Sequence, residues 1–246
     1  MRTLVITPTY CERANIREFL DRTREAVADA DVLVVDDASP DGTADLVEKV
    51  GAELGGIRVL RRATKDGLGT AYRAGFAVAV TEGYDVACCL DADLSHDPAI
   101  LPVLIARLLD DDVDLVIGSR YVPGGSVPTW TWIRRGVSRF GNLYARVLLG
   151  MPVRDSTSGY RAYRVSALRA VDSASTRANG YAFQIEMAYR VWRLRHRVTE
   201  VPIAFVDRVR GESKMSFRIA GEALALVTAW ALADRGRRLA RALRRE

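Results

Sequence analysis

Apolar and polar positions alternate with two different periods along the first ninety residues of the chain. Short apolar runs lie at 3–7, 32–35, 57–60 and 86–90, and apolar residues recur at helical spacing over 12–28, 43–54 and 67–83. Buried strands that alternate with amphipathic helices are typical of a mostly parallel sheet covered by helices on both faces. The pattern therefore predicts an α/β fold with right-handed crossovers.

The pattern after residue 96 is less regular. The segment 121–129 contains two prolines and two adjacent glycines, and we interpret 123–128 as a mobile loop and a candidate lid. The remaining elements are predicted as helices at 97–109, 132–149 and 182–194 and strands at 114–118, 160–164 and 199–206.

The tail from residue 217 predicts a C-terminal amphipathic helix with a basic end. Residues 223–233 are apolar, and six arginines follow Asp234. Such a helix can lie at a membrane interface, or it can pack on the domain with its basic end in solvent, and the pattern favours neither. Because no run of 18 apolar residues is present and the N-terminus enters a strand at once, we expect no transmembrane helix and no signal peptide.

The composition, net charge and cysteine count limit the classes of protein to which the chain can belong. The 246 residues are 49% hydrophobic and 27% charged, which is typical of a globular chain large enough for a substantial core. The net charge of +5 indicates a surface that could face nucleic acid, anionic lipid or a phosphorylated substrate. An odd number of cysteines, Cys11, Cys88 and Cys89, does not form a disulfide framework and lacks the spacing of a zinc site.

Carboxylates follow three of the predicted strands. Glu12 comes after the first strand, Asp36 and Asp37 end the second, and Asp91-Ala92-Asp93 follows the fourth. Because the carboxyl ends of parallel strands meet at one edge of the sheet, we expect these groups in one crevice. Two carboxylates one residue apart repel each other unless a cation lies between them, and oxygen ligands suit Mg²⁺ or Mn²⁺. An alternative is that Asp91-Ala92-Asp93 is only a polar turn.

Cations are available for an anionic ligand in this crevice. Arg120 follows a predicted strand, and a guanidinium binds phosphate through two parallel hydrogen bonds. No Ser-His-Asp arrangement is evident, and we interpret His96 as structural and His196 as solvent-facing. Further basic residues lie in the segment after the candidate lid and in a late loop: Arg134, Arg135, Arg139, Arg208, Arg210 and Lys214.

Taken together, these motifs resemble those of the polyprenol-phosphate mannosyltransferases, the dolichyl-phosphate mannose synthase family of inverting glycosyltransferases. The resemblance spans residues 3–216 in the family's order. Cys11 stands where the family usually has Asn, and Ser95 stands where some members have Gln. The matching segments are 8–12 (PTYCE), 35–43 (VDDASPDGT), 91–96 (DADLSH), 118–121 (GSRY), 158–161 (SGYR), 180–187 (GYAFQIEM) and 208–215 (RVRGESKM).

The resemblance implies a GT-A fold, which is Rossmann-like, and mannose transfer from GDP-mannose to a polyprenyl phosphate, with inversion and with Mg²⁺ or Mn²⁺. It implies metal ligands at Asp91 and Asp93, with Ser95 or water as a third, and catalytic roles for Asp93, Arg120, Arg208 and Lys214. It implies nucleotide-sugar contacts at Pro8, Tyr10, Glu12, Val34, Asp36, Ala92, Asp93, Arg120, Arg208 and Lys214. The acceptor phosphate is expected at Arg134, Ser138, Arg139 and Arg208.

The resemblance also divides the chain. We expect one catalytic domain at 1–216, with a nucleotide-binding half at 1–95 and an acceptor-binding half at 96–216, and then the helix at 217–246. A peripheral position on the cytoplasmic face of a membrane follows, with or without a membrane-anchoring partner protein. Two other functions stay open: a related transferase that uses UDP-glucose or another donor, and a non-catalytic module whose basic face binds nucleic acid.

Overall fold

The computed structural model describes residues 1–110, 112–207 and 217–243, and they form one sheet flanked by helices. The strands are β1 (Thr3–Thr9), β2 (Asp31–Asp36), β3 (Ile57–Arg61), β4 (Val86–Cys89), β5 (Leu115–Ser119), β6 (Arg161–Arg164) and β7 (Val198–Pro202). The helices are α1 (Arg13–Ala26), α2 (Thr43–Leu54), α3 (Leu68–Thr81), α4 (Leu101–Asp110), α5 (Trp132–Leu149), α6 (Val165–Ala170), α7 (Gly180–Arg193) and α8 (Phe217–Leu243).

The sheet has the order β3-β2-β1-β4-β6-β5-β7, and every neighbouring pair is parallel except those that involve β6. The predicted mostly parallel sheet is thus confirmed. Because β6 is antiparallel to β4 and β5, its first residue, Arg161, pairs with Cys89 near the carboxyl end of β4. The loop that precedes β6 therefore lies at the same edge as the carboxyl ends of β1, β2, β4 and β5.

The two faces of the sheet carry separate hydrophobic cores. Leu4 and Ile6 of β1 pack on one face with α3 and α7, whereas Val5 packs on the other with α1 and α4. This alternation follows from the two-residue period of a strand. The largest fully buried side chain is polar: Arg161 donates hydrogen bonds to the carbonyl oxygens of Ser156 (2.7 Å) and Gln184 (2.8 Å). A buried guanidinium that is satisfied in this way fixes the loop before β6 to α7.

The helix α8 packs on α5 and α7. Its buried residues among those with described side chains are Ala223, Val227 and Ala231, and Tyr144 of α5 lies 2.7 Å, oxygen to oxygen, from Thr228. This part of the tail is a packing helix, as one of the two alternatives predicted. No helix in the described part of the chain is long and apolar enough to cross a membrane.

Candidate active site

The carboxylates after β4 lie at the edge of the sheet, where the chain turns sharply. Leu94 has a φ of 61°, a left-handed conformation that is strained for a leucine. This turn allows the backbone N–H of Ser95 to donate a 3.0 Å hydrogen bond to Oδ1 of Asp93. Asp93 and Ser95 are buried, Ala92 is buried beneath them, and Asp91 is half-buried at the surface of the crevice. The turn thus places Asp91 and Asp93 at the same edge of the sheet, with Asp93 fixed by Ser95.

The loop before β6 approaches the carboxylate of Asp91. A Cβ built on Gly159 would lie 3.8 Å from Oδ2 of Asp91, so this loop lies close to the carboxylate. The hydroxyl of Tyr72 lies 3.4 Å from Oδ1 of Asp91, and burial together with the charge of Asp91 raises the pKa of Tyr72. Tyr72 therefore stays protonated and can only donate to Asp91.

The donor set fits a Mg²⁺ or Mn²⁺ ion that is shared with a diphosphate. In the described ranges, no group of three or more His, Cys, Asp or Glu side chains is placed to hold a metal. Two carboxylates with water and substrate phosphate complete the usual shell of Mg²⁺, which rarely occupies an all-protein cage. Asp91 and Asp93 supply that minimum.

Asp36, a predicted nucleotide contact, is hydrogen-bonded within the protein. Its carboxylate accepts hydrogen bonds from Oγ1 of Thr9 (3.0 Å) and from both the backbone N–H (2.9 Å) and hydroxyl (2.6 Å) of Ser39. These bonds use most of the acceptor positions of a carboxylate. Asp36 therefore holds the turn after β2 against the end of β1, and its contact with the nucleotide stays a prediction.

The other predicted nucleotide contacts divide between the surface and the core. Tyr10 is half-buried, and the ammonium of Lys65 lies 3.6 Å from the centre of its ring. Glu12 precedes α1 and accepts a 2.9 Å hydrogen bond from the side chain of Asn15. Pro8 is half-buried within β1, whereas Val34 is fully buried in the core, so its side chain does not reach the crevice.

Arg120 is bound by a partner that the sequence pattern did not indicate. Its guanidinium donates to both carboxylate oxygens of Asp155, at 2.7 and 2.6 Å, and its backbone N–H donates to the same group. Asp155 is fully buried and Arg120 nearly so. Burial raises the pKa of Asp155, but the charge and hydrogen bonds of Arg120 outweigh it and lower that pKa. Arg120 is thus held in place by Asp155, and its contact with phosphate stays a prediction.

His96 lies in the same cluster and is buried. Its ring packs edge-on against Tyr160 and Phe205, with centroid distances of 5.2 and 5.1 Å, and its Nδ1 has no hydrogen-bond partner among the described residues. Burial lowers the pKa of His96 to about 4, although Asp93 acts in the opposite direction. His96 is therefore neutral near pH 7, which agrees with its interpretation as structural.

Three of the four predicted acceptor residues lie near the start of α5. Arg134 forms a 2.7 Å ion pair with Asp207, which also accepts from the indole N–H of Trp130. The hydroxyl of Ser138 accepts a 2.7 Å hydrogen bond from the hydroxyl of Tyr121. Arg139 stacks over the ring of Tyr121 at 5.8 Å. Arg208, Arg210 and Lys214 lie outside the described residues.

The candidate lid at 123–128 is hydrogen-bonded along one side to residues 203–205. The backbone N–H of Ser126 donates to the carbonyl of Ile203, and its carbonyl accepts from the N–H of Phe205, both at 3.0 Å. Gly125 approaches the carbonyl of Ser119 so closely that a Cβ would lie 2.6 Å from it. The middle of this loop is therefore packed on the sheet edge and would move only together with residues 203–205.

Comparison with known proteins agrees with this architecture. Residues 4–172 match the family model described as glycosyl transferase family 2. An undecaprenyl-phosphate mannosyltransferase of Micrococcus luteus is 51% identical over 235 residues, which are 96% of each chain. A polyprenol monophosphomannose synthase of Mycolicibacterium smegmatis is 44% identical over 235 residues, or 95% of this chain and 88% of that protein. The resemblance based on the motifs is thereby confirmed.

A solved structure shows the same fold at much lower identity. The mannosyltransferase PcManGT from Pyrobaculum calidifontis, solved in complex with GDP-Man and Mn²⁺, is similar with a TM-score of 0.56 and 19% identity, over 98% of this chain and 75% of that chain. The predicted GT-A fold is confirmed. By its motifs, its fold and its relatives, the chain belongs to glycosyl transferase family 2.

Proposed function

We propose that this protein transfers mannose from GDP-mannose to a polyprenyl phosphate, with inversion, and that transfer requires Mg²⁺ or Mn²⁺. The observation that carries the proposal is the Asp91 and Asp93 pair at the end of β4 in a chain 51% identical to an undecaprenyl-phosphate mannosyltransferase. The same relatives favour a transferase over a nucleic-acid-binding module.

The donor lies along the carboxyl ends of β1, β2 and β4. Pro8, Tyr10 and Glu12 contact the base and ribose, and Tyr10 offers a flat face once Lys65 moves from its ring. The complex of PcManGT with GDP-Man and Mn²⁺ supports this choice of donor. A related transferase that uses UDP-glucose is the second candidate, since these residues do not by themselves select guanine.

The diphosphate is held at the turn after β4. Asp91 and Asp93 would hold the divalent ion, with Ser95 or water as a third ligand, and the backbone at Ala92 lies beside the sugar. When bound, the ion stabilises the negative charge of the departing diphosphate. Asp93 is kept in place by Ser95 N–H, and Tyr72 supports Asp91.

The acceptor needs positioning more than activation. A phosphate monoester is already anionic near neutral pH, because its second pKa is about 6, so no general base is required. Arg134, Arg139, Arg208 and Lys214 offset its charge, and Ser138 hydrogen-bonds to it. Arg120 with Asp155 fixes the wall of the crevice. A single displacement then gives the β-mannosyl phosphate from an α donor.

A lipid acceptor requires that the protein work at a membrane. We place it peripherally on the cytoplasmic face, with or without an anchoring partner. We also keep the proposed division into a catalytic domain at 1–216, with halves at 1–95 and 96–216, and a helix at 217–246.

A transfer assay tests the proposal. The protein in mild detergent is incubated with undecaprenyl phosphate and radiolabelled GDP-mannose or UDP-glucose, with Mg²⁺ or Mn²⁺, and label in the lipid extract is counted. We expect label from GDP-mannose at least about tenfold above that from UDP-glucose, a ratio set by differential binding of the two donors. Label from UDP-glucose alone would favour the second candidate, and no labelled lipid from either donor would contradict both.

A further inference from the structure

A lysine lies on the aromatic ring that is proposed to contact the base of the donor. The ammonium nitrogen of Lys65 is 3.6 Å from the centre of the Tyr10 ring. Tyr10 follows β1, whereas Lys65 belongs to the loop between β3 and α3, so the fold alone brings the two together. Lys65 is exposed, and a cation on a ring in solvent is held weakly enough for an aromatic ligand to displace it.

The loop that carries Lys65 is fixed on both sides of this residue. Arg62 forms an ion pair with the buried carboxylate of Asp37 and donates a 3.0 Å hydrogen bond to the carboxylate of Asp66. The hydroxyl of Thr64 donates a 2.9 Å hydrogen bond to the same carboxylate. The backbone at Lys65 is therefore held between bound neighbours, whereas its exposed side chain can change rotamer.

The turn that carries Tyr10 is fixed in a similar way. The backbone N–H of Cys11, a residue with a φ of 59°, donates a 3.0 Å hydrogen bond to the hydroxyl of Ser39. The backbone N–H of Glu12 donates a 3.1 Å hydrogen bond to the hydroxyl of Thr43. The ring and the lysine are thus placed next to each other before a ligand arrives, which lowers the ordering cost of binding.

A base that stacks on this face of Tyr10 must displace the ammonium group sideways. The nitrogen of Lys65 lies against the ring, in the volume that a stacked base requires. Because the backbone of Lys65 is fixed and its stem is flexible, the displaced ammonium stays within reach of the edge of the base. An ammonium group donates three hydrogen bonds and accepts none. The edge of the base beside Lys65 therefore has to carry acceptor atoms.

Guanine meets this requirement better than the other bases. It presents two neighbouring acceptors, O6 and N7, and a lysine ammonium contacts both of them when proteins read guanine in DNA. Adenine presents an amino donor next to N7, and this donor faces an ammonium group unfavourably. Uracil offers the carbonyl O4 and has no N7, so it provides one acceptor in place of two. A lysine at this position thus discriminates between donors by their base.

We propose that Lys65 selects the guanine base of the donor by donating hydrogen bonds to O6 and N7 of a base stacked on Tyr10. This inference rests on the proposed function, in which the donor is GDP-mannose and Tyr10 contacts its base. It supplies the selection of guanine that Pro8, Tyr10 and Glu12 do not provide by themselves. Lys65 contacts the base alone and takes no part in the transfer step.

Binding of nucleoside diphosphates to the full chain tests the proposal without a transfer step. Isothermal titration calorimetry with Mg²⁺ gives the Kd of GDP, IDP, ADP and UDP for the wild type, Lys65→Met, Lys65→Arg and Lys49→Met. IDP keeps O6 and N7, whereas ADP has an amino group in place of O6. Methionine keeps a flexible side chain without the charge, and Lys49→Met removes the same charge at an exposed position of α2. Thermal unfolding checks that each variant is folded.

We expect the wild type to bind GDP and IDP more tightly than ADP and UDP. Lys65→Met should bind GDP and IDP at least about tenfold more weakly, and its Kd for ADP and UDP should change by no more than about twofold. Lys65→Arg should restore most of the preference, because a guanidinium also donates to O6 and N7. Lys49→Met should leave all four constants unchanged.

An equal loss of affinity for all four nucleotides in Lys65→Met would place Lys65 at the diphosphate and overturn the proposal. Tighter binding of all four would show that Lys65 only covers the ring of Tyr10, and it would overturn the proposal too. If the wild type prefers GDP and Lys65→Met keeps that preference, this inference fails and the proposed function stands. A wild type that prefers UDP to GDP would contradict the proposed function, and this inference with it.

Discussion

At the residue scale, the distance along the chain between two partners decides what could be predicted. Asp91 and Asp93 follow a buried strand directly, so their place at the sheet edge is a local property of the sequence. Asp155 lies 35 residues from Arg120, and only the fold brings the two together. The same holds for Lys65 on the ring of Tyr10 and for Thr9 and Ser39 on Asp36. Composition and spacing carry no signal for these contacts.

The pair of Arg120 and Asp155 makes a prediction about stability. Asp155→Asn removes the charge partner of a guanidinium that is 6% exposed, and we expect a loss of about 3–5 kcal/mol in the free energy of unfolding. Asp45→Asn is the matched control, because its pair with Arg61 is on the surface and should be worth less than about 1 kcal/mol. Urea denaturation measures both variants. Similar losses in the two would show that the buried pair is not a fixed part of the fold.

His96 makes a prediction about pH. Its folded-state pKa of about 4 lies below the ordinary value of 6.5, so the unfolded chain binds the extra proton first as the pH falls. Stability is therefore retained above pH 6.5 and is lost as the pH falls toward 4. Between pH 7 and pH 5 the loss should be about 2 kcal/mol.

The substitution His96→Phe tests this assignment, because it keeps an aromatic ring against Tyr160 and Phe205 and removes the titrating group. Urea unfolding in EDTA at pH 7 and pH 5 should show a smaller drop for the variant than for the wild type. Equal drops in the two proteins would mean that other groups carry the acid sensitivity.

At the scale of elements, helices and strands with a clear apolar period were predicted well and unusual ones were not. α5 begins and ends at the predicted residues, but its apolar face points outward, and the pattern alone cannot tell whether an apolar face meets the core or the solvent. β6 was predicted as a strand, but its antiparallel direction depends on the loop before it. α6 was missed because its six residues are too few for a helical period.

Close packing of α3 on β1 gives a test at this scale. A Cβ at Gly75 would lie 2.4 Å from Cγ2 of Ile6, so Gly75→Ala should cost about 1–3 kcal/mol despite the better helix propensity of alanine. At Gly136 of α5 a Cβ would meet nothing within 4 Å, and Gly136→Ala should stabilise by about 0.5–1 kcal/mol. Thermal unfolding of the two variants should therefore shift in opposite directions, and a gain in both would contradict the packing at Gly75.

At the scale of the whole molecule, the fold class followed from the sequence because four short apolar strands alternate with helices in the first ninety residues. The order of β5, β6 and β7 in the sheet could not be predicted from the sequence, because it depends on how the loops between these strands cross the edge of the sheet. The motifs led to the family, and the 51% and 44% identical relatives confirm it. The site is predictable only in part. The positions of its carboxylates follow from the strands that precede them, whereas the roles of its arginines depend on partners that are distant in the chain.

The central claim is that Asp91 and Asp93 act with a divalent ion in mannosyl transfer. The most direct measurement is the transfer rate from GDP-mannose to undecaprenyl phosphate for the wild type, Asp91→Asn and Asp93→Asn, with EDTA and then with excess Mg²⁺ or Mn²⁺. Asparagine keeps the shape of each side chain, and Asp45→Asn serves as the control. We predict that EDTA abolishes the wild-type rate, that either ion restores it, and that both variants stay at least about 100-fold slower at saturating metal. Full activity of both variants, or a rate that EDTA does not change, would contradict the claim.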